Sequence, residues 1–321
     1  MTMFSQQEAV EKLEAVAVDG GRLTEKPLSQ GRLALKRFRG RRSGMVGLVI
    51  VSLLILMAIF APLIAPFDPN DVLIGKEEGV GRRAPPCVYA FGCDPESPQH
   101  ILGTDGNVRD QFSRIVYGSR VSLTLGLFTV TIALVVGSFL GAVAGFTGGW
   151  LDNIIMRIMD VVLGFPSLLL AIAIVSVFGP GLRNALIAIA VVTIPAYARV
   201  MRAQVLAIKE SDFVAAARAL GAAPRQILLR RVVPNALTPL VVLATLGIAT
   251  AILEAAGLSF LGLGAQPPLA EWGSMLASER NQVFTSPHLV FFPGLAIMIT
   301  VLGFNLMGDG MRDALDPTLN R

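Results

Sequence analysis

The sequence predicts an all-α protein that crosses a membrane about six times. Of its 321 residues, 53% are hydrophobic and only 16% are charged, and the mean hydropathy is +0.64. Soluble domains are about a quarter charged. A helix needs about 20 apolar residues to cross the hydrocarbon core of a bilayer. The predominantly apolar segments of this length are 45–65, 122–146, 154–178, 182–205, 237–261 and 289–308.

These segments are predicted to be helices because every backbone amide in lipid must be hydrogen-bonded within the protein. Their apolar runs are continuous, whereas the strands of a membrane β-barrel alternate apolar and polar residues. The first segment begins more than forty residues into the chain and has no evident cleavage site. It is therefore interpreted as an uncleaved anchor helix and not as a signal peptide.

The distribution of lysine and arginine predicts the orientation in the membrane, since cytoplasmic loops are enriched in both. Basic residues crowd the segment before the first span and the segment between the fourth and fifth: Arg32, Lys36, Arg37, Arg39, Arg41, Arg42, Lys209, Arg218, Arg225, Arg230 and Arg231. With six spans, both termini are then cytoplasmic. The net charge of +4 is mostly this topology signal, so no nucleic-acid partner is expected.

The same reasoning divides the chain into regions. We expect a cytoplasmic tail at 1–43, a first transmembrane helix at 44–65, an extracytoplasmic loop at 66–118, a transmembrane core at 119–311 and a cytoplasmic tail at 312–321. The core is interrupted at 206–235 by a cytoplasmic segment, called the elbow below. Cys87 and Cys93 fall in the extracytoplasmic loop, where an oxidising exterior permits a disulfide; two free thiols are the alternative.

Ionisable residues within the spans are costly to bury and therefore informative. Arg157 and Asp160 lie three residues apart on one face of the third span, which predicts a structural ion pair in preference to a substrate contact. Glu254 lies near the outer end of the fifth span, where it could serve a gate. Pro166 and Pro195 each remove an intrahelical hydrogen bond, and such kinks suit helices that line a pathway.

The elbow is predicted to be a helix–turn–helix. Phe213, Ala216, Ala217 and Leu220 follow helical spacing on its first helix, at 210–220. Gly221 can adopt the left-handed conformation that ends a helix. Pro224 and Arg225 then begin a second helix, Pro234 marks the re-entry into the membrane, and Arg218 adds to the basic surface. An amphipathic segment that merely lies on anionic lipid is the alternative.

Motifs of nucleotide hydrolysis and covalent catalysis are missing from the sequence. It contains no GxxxxGK[ST] loop and no HExxH, CxxC or GxSxG motif, and it has only two histidines. We therefore expect a non-catalytic chain that binds no cofactor or metal itself. If it moves a solute uphill, the energy comes from an ion gradient or from a partner.

The elbow resembles the EAA motif of ABC importer permeases, in which E-A-A is followed by a glycine and, thirteen residues later, a proline. Ala216, Ala217, Gly221 and Pro234 match in register, and Ala215 stands at the Glu position. The chain is similar to the dipeptide/oligopeptide and nickel branch, and to its C-type subunit, from about residue 32 to its end. The stretches that carry this likeness are HILGTDGNVRDQFSRIVYGSRVSL, DFVAAARALGAAPRQILLRRVVPNAL, EAAGLSFLGLG and GDGMRDALDPTLNR.

The resemblance implies a type I ABC importer permease fold in a bacterial or archaeal cell membrane. It also implies a second homologous permease, two cytoplasmic ATPases that bind ATP and Mg²⁺, and an extracytoplasmic solute-binding protein. The elbow would dock on the ATPases. Di- or oligopeptides are the expected cargo, with nickel chelates and oligosaccharides as alternatives within the class. An ion-coupled secondary transporter using Asp160 or Glu254, or a scaffold without solute flux, are alternatives outside it.

Overall fold

The computed structural model describes residues 30–93 and 98–315, so parts of both predicted tails lie outside the described residues. Regular structure within these ranges is helical, apart from one isolated bridge between Thr104 and Asp110. The helices are α1 Gln30–Gly40, α2 Arg42–Ile59, α3 Ala61–Ile64, α4 Gln111–Thr147, α5 Gly149–Leu163, α6 Ser167–Phe178, α7 Leu182–Lys209, α8 Asp212–Ala219, α9 Pro224–Ile227, α10 Val233–Phe260, α11 Trp272–Glu279 and α12 His288–Leu315.

Five helical segments of the described chain are long and apolar enough to cross a membrane: α2, α4, α7, the continuous helix Pro224–Phe260, and α12. The segment predicted as the third span, 154–178, is sharply bent in the structure. This segment is divided between α5 and α6, whose axes differ by 92°. The break follows from sequence, because Pro166 lacks an amide donor and disfavours a helical conformation at Phe165. The pair is either a broken span or a re-entrant hairpin.

Helix α4 starts earlier than predicted, at Gln111 instead of near residue 122. Asp110 caps it by accepting a hydrogen bond from the Ser113 amide at 2.7 Å. With 37 residues the helix is about 55 Å long, which exceeds the hydrocarbon thickness. Part of the helix therefore lies beyond the apolar core of the bilayer, where polar side chains are tolerated.

Glycine faces set the closest helix contacts in the bundle. Gly137, Gly141 and Gly145 of α4 lie against the backbone of α7, and a Cβ at Gly141 would overlap the carbonyl oxygen of Ala198. Gly47 of α2 meets the carbonyl oxygen of Gly303 on α12 in the same way. Small residues at this spacing let backbones approach closely, as membrane helices require. Helices α4, α7 and α10 thus enclose the main core.

The two ends of the bundle differ. Residues 65–93 and 98–110, together with α11, form a folded cap at one end, called the loop side below. Trp272 is fully buried there and donates from Nε1 to the carbonyl oxygen of Ile115 at 3.0 Å. The elbow lies at the opposite end, the elbow side, where α1 and the last turns of α12 border one apolar groove. The described ends of the chain therefore meet on the elbow side.

Candidate functional site

The turn of the elbow is built as predicted. Helix α8 ends at Ala219, and Gly221 adopts a left-handed conformation with φ = +79°. The Gly221 amide donates to the carbonyl oxygen of Arg218 at 3.0 Å, and the Ala222 amide donates to that of Ala217 at 3.1 Å. These two bonds form a Schellman motif, which satisfies carbonyls at a helix end and favours glycine at this position.

The second half of the elbow differs from the prediction. Pro224 is the first residue of α9, as expected, but the chain does not break before the membrane at Pro234. Leu228–Val232 form a π-helical turn that leads without interruption into α10. Pro234 lies in the first turn of α10, where its missing donor is tolerated. The elbow therefore continues rigidly into a membrane-crossing helix.

The elbow has a buried face and an exposed face. Val214, Ile227 and Val232 are buried in the main core, which fixes both helices to the bundle. Leu220 at the turn is 88% exposed, and Phe213 is also exposed. Ala216 and the basic side chains Arg218, Arg225, Arg230 and Arg231 are exposed as well. A cavity of about 200 Å³ lies between the two helices and is lined by Ala217, Leu220, Ala222, Gln226, Ile227, Arg230 and Arg231.

The elbow side of α7 is tied to its neighbours by two cationic side chains. Lys209, the last residue of α7, donates from Nζ to the carbonyl oxygen of Phe146 near the end of α4, at 3.0 Å. Arg202 binds both carboxylate oxygens of Asp152 on α5. Because α8 follows Lys209 after a short link, the elbow is connected directly to this group of helices.

The predicted ion pair between Arg157 and Asp160 was wrong. Asp160 pairs instead with Arg199 of α7, whose Nη2 lies 2.5 Å from Oδ1, while Arg157 is exposed. Helical spacing predicted Arg157 as the partner of Asp160, but the Arg199 guanidinium on α7 is the one that contacts the Asp160 carboxylate. The cavity beside this pair measures about 400 Å³ and is lined by Met156, Asp160, Arg199 and Arg202.

The residues predicted to line a pathway or gate lie at the bend before α6, within α7 and within α10. Pro166 immediately precedes α6 at the sharp bend, and Pro195 is buried within α7. Glu254 of α10 accepts a hydrogen bond from the Ser167 hydroxyl at 2.8 Å. The bend and α10 are thus joined at the first residue of α6.

A disulfide and two polar contacts hold the loop-side cap. Cys87 and Cys93 are joined by a disulfide, with Cα atoms 5.4 Å apart. The buried His100 ring lies 2.9 Å from an Asp110 carboxylate oxygen. Arg83 pairs with the buried Glu279 at 2.9 Å across 196 positions of sequence. Sequence reasoning allowed for the disulfide but missed the contacts of His100 and Arg83.

Glu271 is a further buried acid of this cap. It precedes α11 and accepts hydrogen bonds from the backbone amides of Gly273 and Ser274 at 3.0 and 2.8 Å. Burial raises the pKa of the Glu271 carboxyl, against the opposing effect of these donors. Helix N-caps favour Ser, Thr, Asp and Asn, so a glutamate at this position gave no clear sequence signal.

Comparison with known proteins gives matches over most of the chain. Residues 133–321 match the family described as binding-protein-dependent transport system inner membrane component, and residues 29–86 match the N-terminal TM domain of oligopeptide transport permease C. The dipeptide transport system permease protein of Alkalihalophilus pseudofirmus is 47% identical over 297 residues, which cover 91% of each chain. The glutathione transport system permease protein of Escherichia coli O6:K15:H31 is 45% identical, covering 88% of this chain and 89% of its own.

Another curated permease and one solved transporter structure are also similar to this chain. The di/tripeptide transport system permease protein of Pseudomonas aeruginosa is 45% identical over 286 residues, covering 88% of this chain and 90% of its own. Among solved structures, an inward-facing form of the MetNI methionine ABC transporter superposes with a TM-score of 0.53 at 21% identity, covering 63% of this chain and 96% of that chain. At this identity the likeness concerns the fold.

The helical bundle, its elbow and these matches define a membrane-embedded permease subunit with the type I ABC importer fold. This confirms the predicted fold class. The chain belongs to the family of binding-protein-dependent transport system inner membrane components. It is thus a membrane component of a binding-protein-dependent importer.

Proposed function

We propose that this chain forms half of the translocation pathway of an importer for di- or oligopeptides, and that its elbow receives the motion of ATPase subunits. The observation that carries the proposal is the construction of the elbow. An exposed apolar tip at Leu220 is attached to anchors at Val214 and Ile227 that are buried in the bundle. An exposed tip of this kind suits docking to a partner, and its anchors transmit the displacement to α7 and α10.

The arginines of the elbow fit the same role. Arg218, Arg225, Arg230 and Arg231 surround the tip and are exposed. They can pair with acidic groups on an ATPase, and such charges guide the association of two proteins. The second helix passes through the π turn into α10, and the first is linked to α7, so rotation of the elbow would tilt two membrane-crossing helices together.

The proposed assembly contains a second homologous permease, two cytoplasmic ATPases that bind ATP and Mg²⁺, and an extracytoplasmic solute-binding protein. This chain itself binds no nucleotide or metal in the proposal. The elbow side, where both described ends of the chain lie, is then cytoplasmic, and the loop-side cap faces the binding protein. The exposed arginines of the elbow side support this orientation.

Peptide cargo is supported by the relatives, whose names refer to dipeptides, di/tripeptides and glutathione. These solutes share a free amino group and free carboxylates. Nickel chelates and oligosaccharides lack this combination, and their uptake in place of peptide would contradict the proposed cargo.

The test is uptake of a radiolabelled dipeptide by the complete complex in proteoliposomes, with Gly221→Pro in this chain. Proline fixes φ near −65°, whereas Gly221 has φ = +79°, so the turn cannot form. We expect uptake to be lost while membrane insertion is retained. Gly75→Pro is the matched control, since Gly75 has φ = +77° on the loop side, and it should retain uptake. Normal uptake with Gly221→Pro would remove the elbow from the mechanism.

A further inference from the structure

Asp160 and Arg199 are charged residues within segments that cross or enter the membrane. Arg199 lies ten residues before the end of α7, hence about 15 Å inward from the elbow side. Ionisable side chains at such depth are expensive, and they usually face a water-filled cavity or pathway. This pair does so, because both residues line the cavity of about 400 Å³ beside α5 and α7.

The neighbouring pair provides a comparison. Arg202 binds Asp152 through two hydrogen bonds, and the Asp152 side chain is only 11% exposed. Asp160 and Arg199 share a single hydrogen bond, and their side chains are 48% and 53% exposed. Both carboxylate oxygens of the first pair accept a hydrogen bond, whereas the second pair, within the described residues, leaves one carboxylate oxygen and most guanidinium donors without one.

We propose that Asp160 and Arg199 form a binding subsite for the charged ends of a zwitterionic peptide in transit. The terminal carboxylate binds Arg199 in the fork geometry that guanidinium favours, and the terminal ammonium binds Asp160. This proposal rests on the proposed peptide cargo. The volume of the cavity lies in the range of small-molecule sites.

The chemistry explains why the pair is made of opposite charges. When the subsite is empty, Asp160 and Arg199 neutralise each other, so neither charge is left alone within the membrane. A zwitterion replaces one internal ion pair by two pairs with the ligand, and the net charge of the cavity does not change. A neutral sugar could not compensate the separation of the pair, so the subsite favours peptides.

The experiment places photoreactive benzoylphenylalanine at Met156, which lines the cavity, in the complete complex with its binding protein. The probe is radiolabelled Ala-Phe, and the readout is label attached to this chain per ATP hydrolysed during turnover. We expect labelling at Met156 and none with the photoreactive residue at the exposed Ile154, which does not line the cavity. Arg199→Gln should lower labelling about tenfold or more, as expected for the loss of a charge-assisted contact.

The matched control is Arg183→Gln, on the same helix but exposed near its first turn, and it should leave labelling unchanged. If Arg199→Gln lowers labelling and ATP hydrolysis in parallel, the pair has a structural role and the proposal is overturned. Attachment of phosphatidylethanolamine to Met156 in place of Ala-Phe would overturn it as well. Uptake of Ala-Phe without labelling at Met156 would refute the subsite alone, whereas no peptide uptake would refute the cargo and the subsite together.

Discussion

Arg202 of α7 binds Asp152 of α5 through two hydrogen bonds, 2.5 Å from Nε to Oδ1 and 2.7 Å from Nη2 to Oδ2. Bidentate pairs of this kind fix orientation as well as distance. The pair lies seven residues before the end of α7, and Lys209 holds the same end of α7 to α4. Helices α4, α5 and α7 therefore form one mechanical unit next to the elbow.

Asp152→Ala tests the strength of this unit. The substitution leaves the partly buried Arg202 guanidinium without its partner, and we expect the free energy of unfolding to fall by about 2 kcal/mol. Thermal denaturation of the purified chain in detergent gives the change. Asp309→Ala serves as control, because Asp309 is exposed on α12. Equal shifts for the two variants would mean that the pair contributes nothing measurable.

Gly141→Ala tests the contact between α4 and α7. The added Cβ would overlap the carbonyl oxygen of Ala198, and backbone atoms on two packed helices cannot move aside cheaply. We expect a loss of about 1–3 kcal/mol in the free energy of unfolding. Gly294→Ala is a matched control in α12, where a Cβ meets no atom within 4 Å, and it should be neutral or stabilising. Equal stability of both variants would contradict the packing.

The structure also indicates which features a sequence can predict. Gly221 was predictable because its conformation depends on the local helix end, and the apolar segments were predictable because lipid imposes their length. The partner of Asp160 was not, since an i, i+3 neighbour competes with a side chain on another helix 39 positions away. The π turn before Pro234 was not predicted either.

The disulfide predicts a specific labelling pattern. Cys87 and Cys93 are bonded, and Cys87 is buried, so the native chain should resist maleimide until it is reduced. Cys93→Ser should leave one thiol, at Cys87, that reacts after mild unfolding. It should also lower the free energy of unfolding of the cap by about 2–3 kcal/mol, the value expected for a short loop closed by a disulfide. Mass spectrometry of the labelled cap peptide measures both states. Labelling of both residues in the unreduced chain would show that the thiols are free.

Glu271 predicts a pH dependence of stability. Burial raises the pKa of its carboxyl in the folded chain above the ordinary value of 4.5. Between pH 4.5 and the raised pKa, the folded state therefore binds more protons than the unfolded state. Stability should therefore increase as the pH falls through that window, and the gain should be complete below 4.5. Glu271→Gln removes the titrating carboxyl, so this contribution to the slope of the free energy of unfolding against pH should vanish. Identical pH profiles for both proteins would contradict this reasoning.

Glu254 and Ser167 provide the means to separate a gate from an ion relay. The hydroxyl of Ser167 donates to Glu254 at 2.8 Å and joins the start of α6 to α10. Glu254→Gln keeps an oxygen acceptor for this bond, whereas Glu254→Leu removes it. If the bond positions the bend, Gln should retain most peptide uptake and Leu should reduce it about five- to tenfold, the effect of one lost hydrogen bond.

Ser167→Ala completes the comparison, because it removes the same bond from the other side. It should match Glu254→Leu, and the double variant should be no worse than either single one, since the two residues then share one interaction. Initial rates of uptake in proteoliposomes provide the measurement. An ion relay would give a different result: Gln, which cannot carry a proton, would abolish uptake as fully as Leu, while Ser167→Ala would leave most of it.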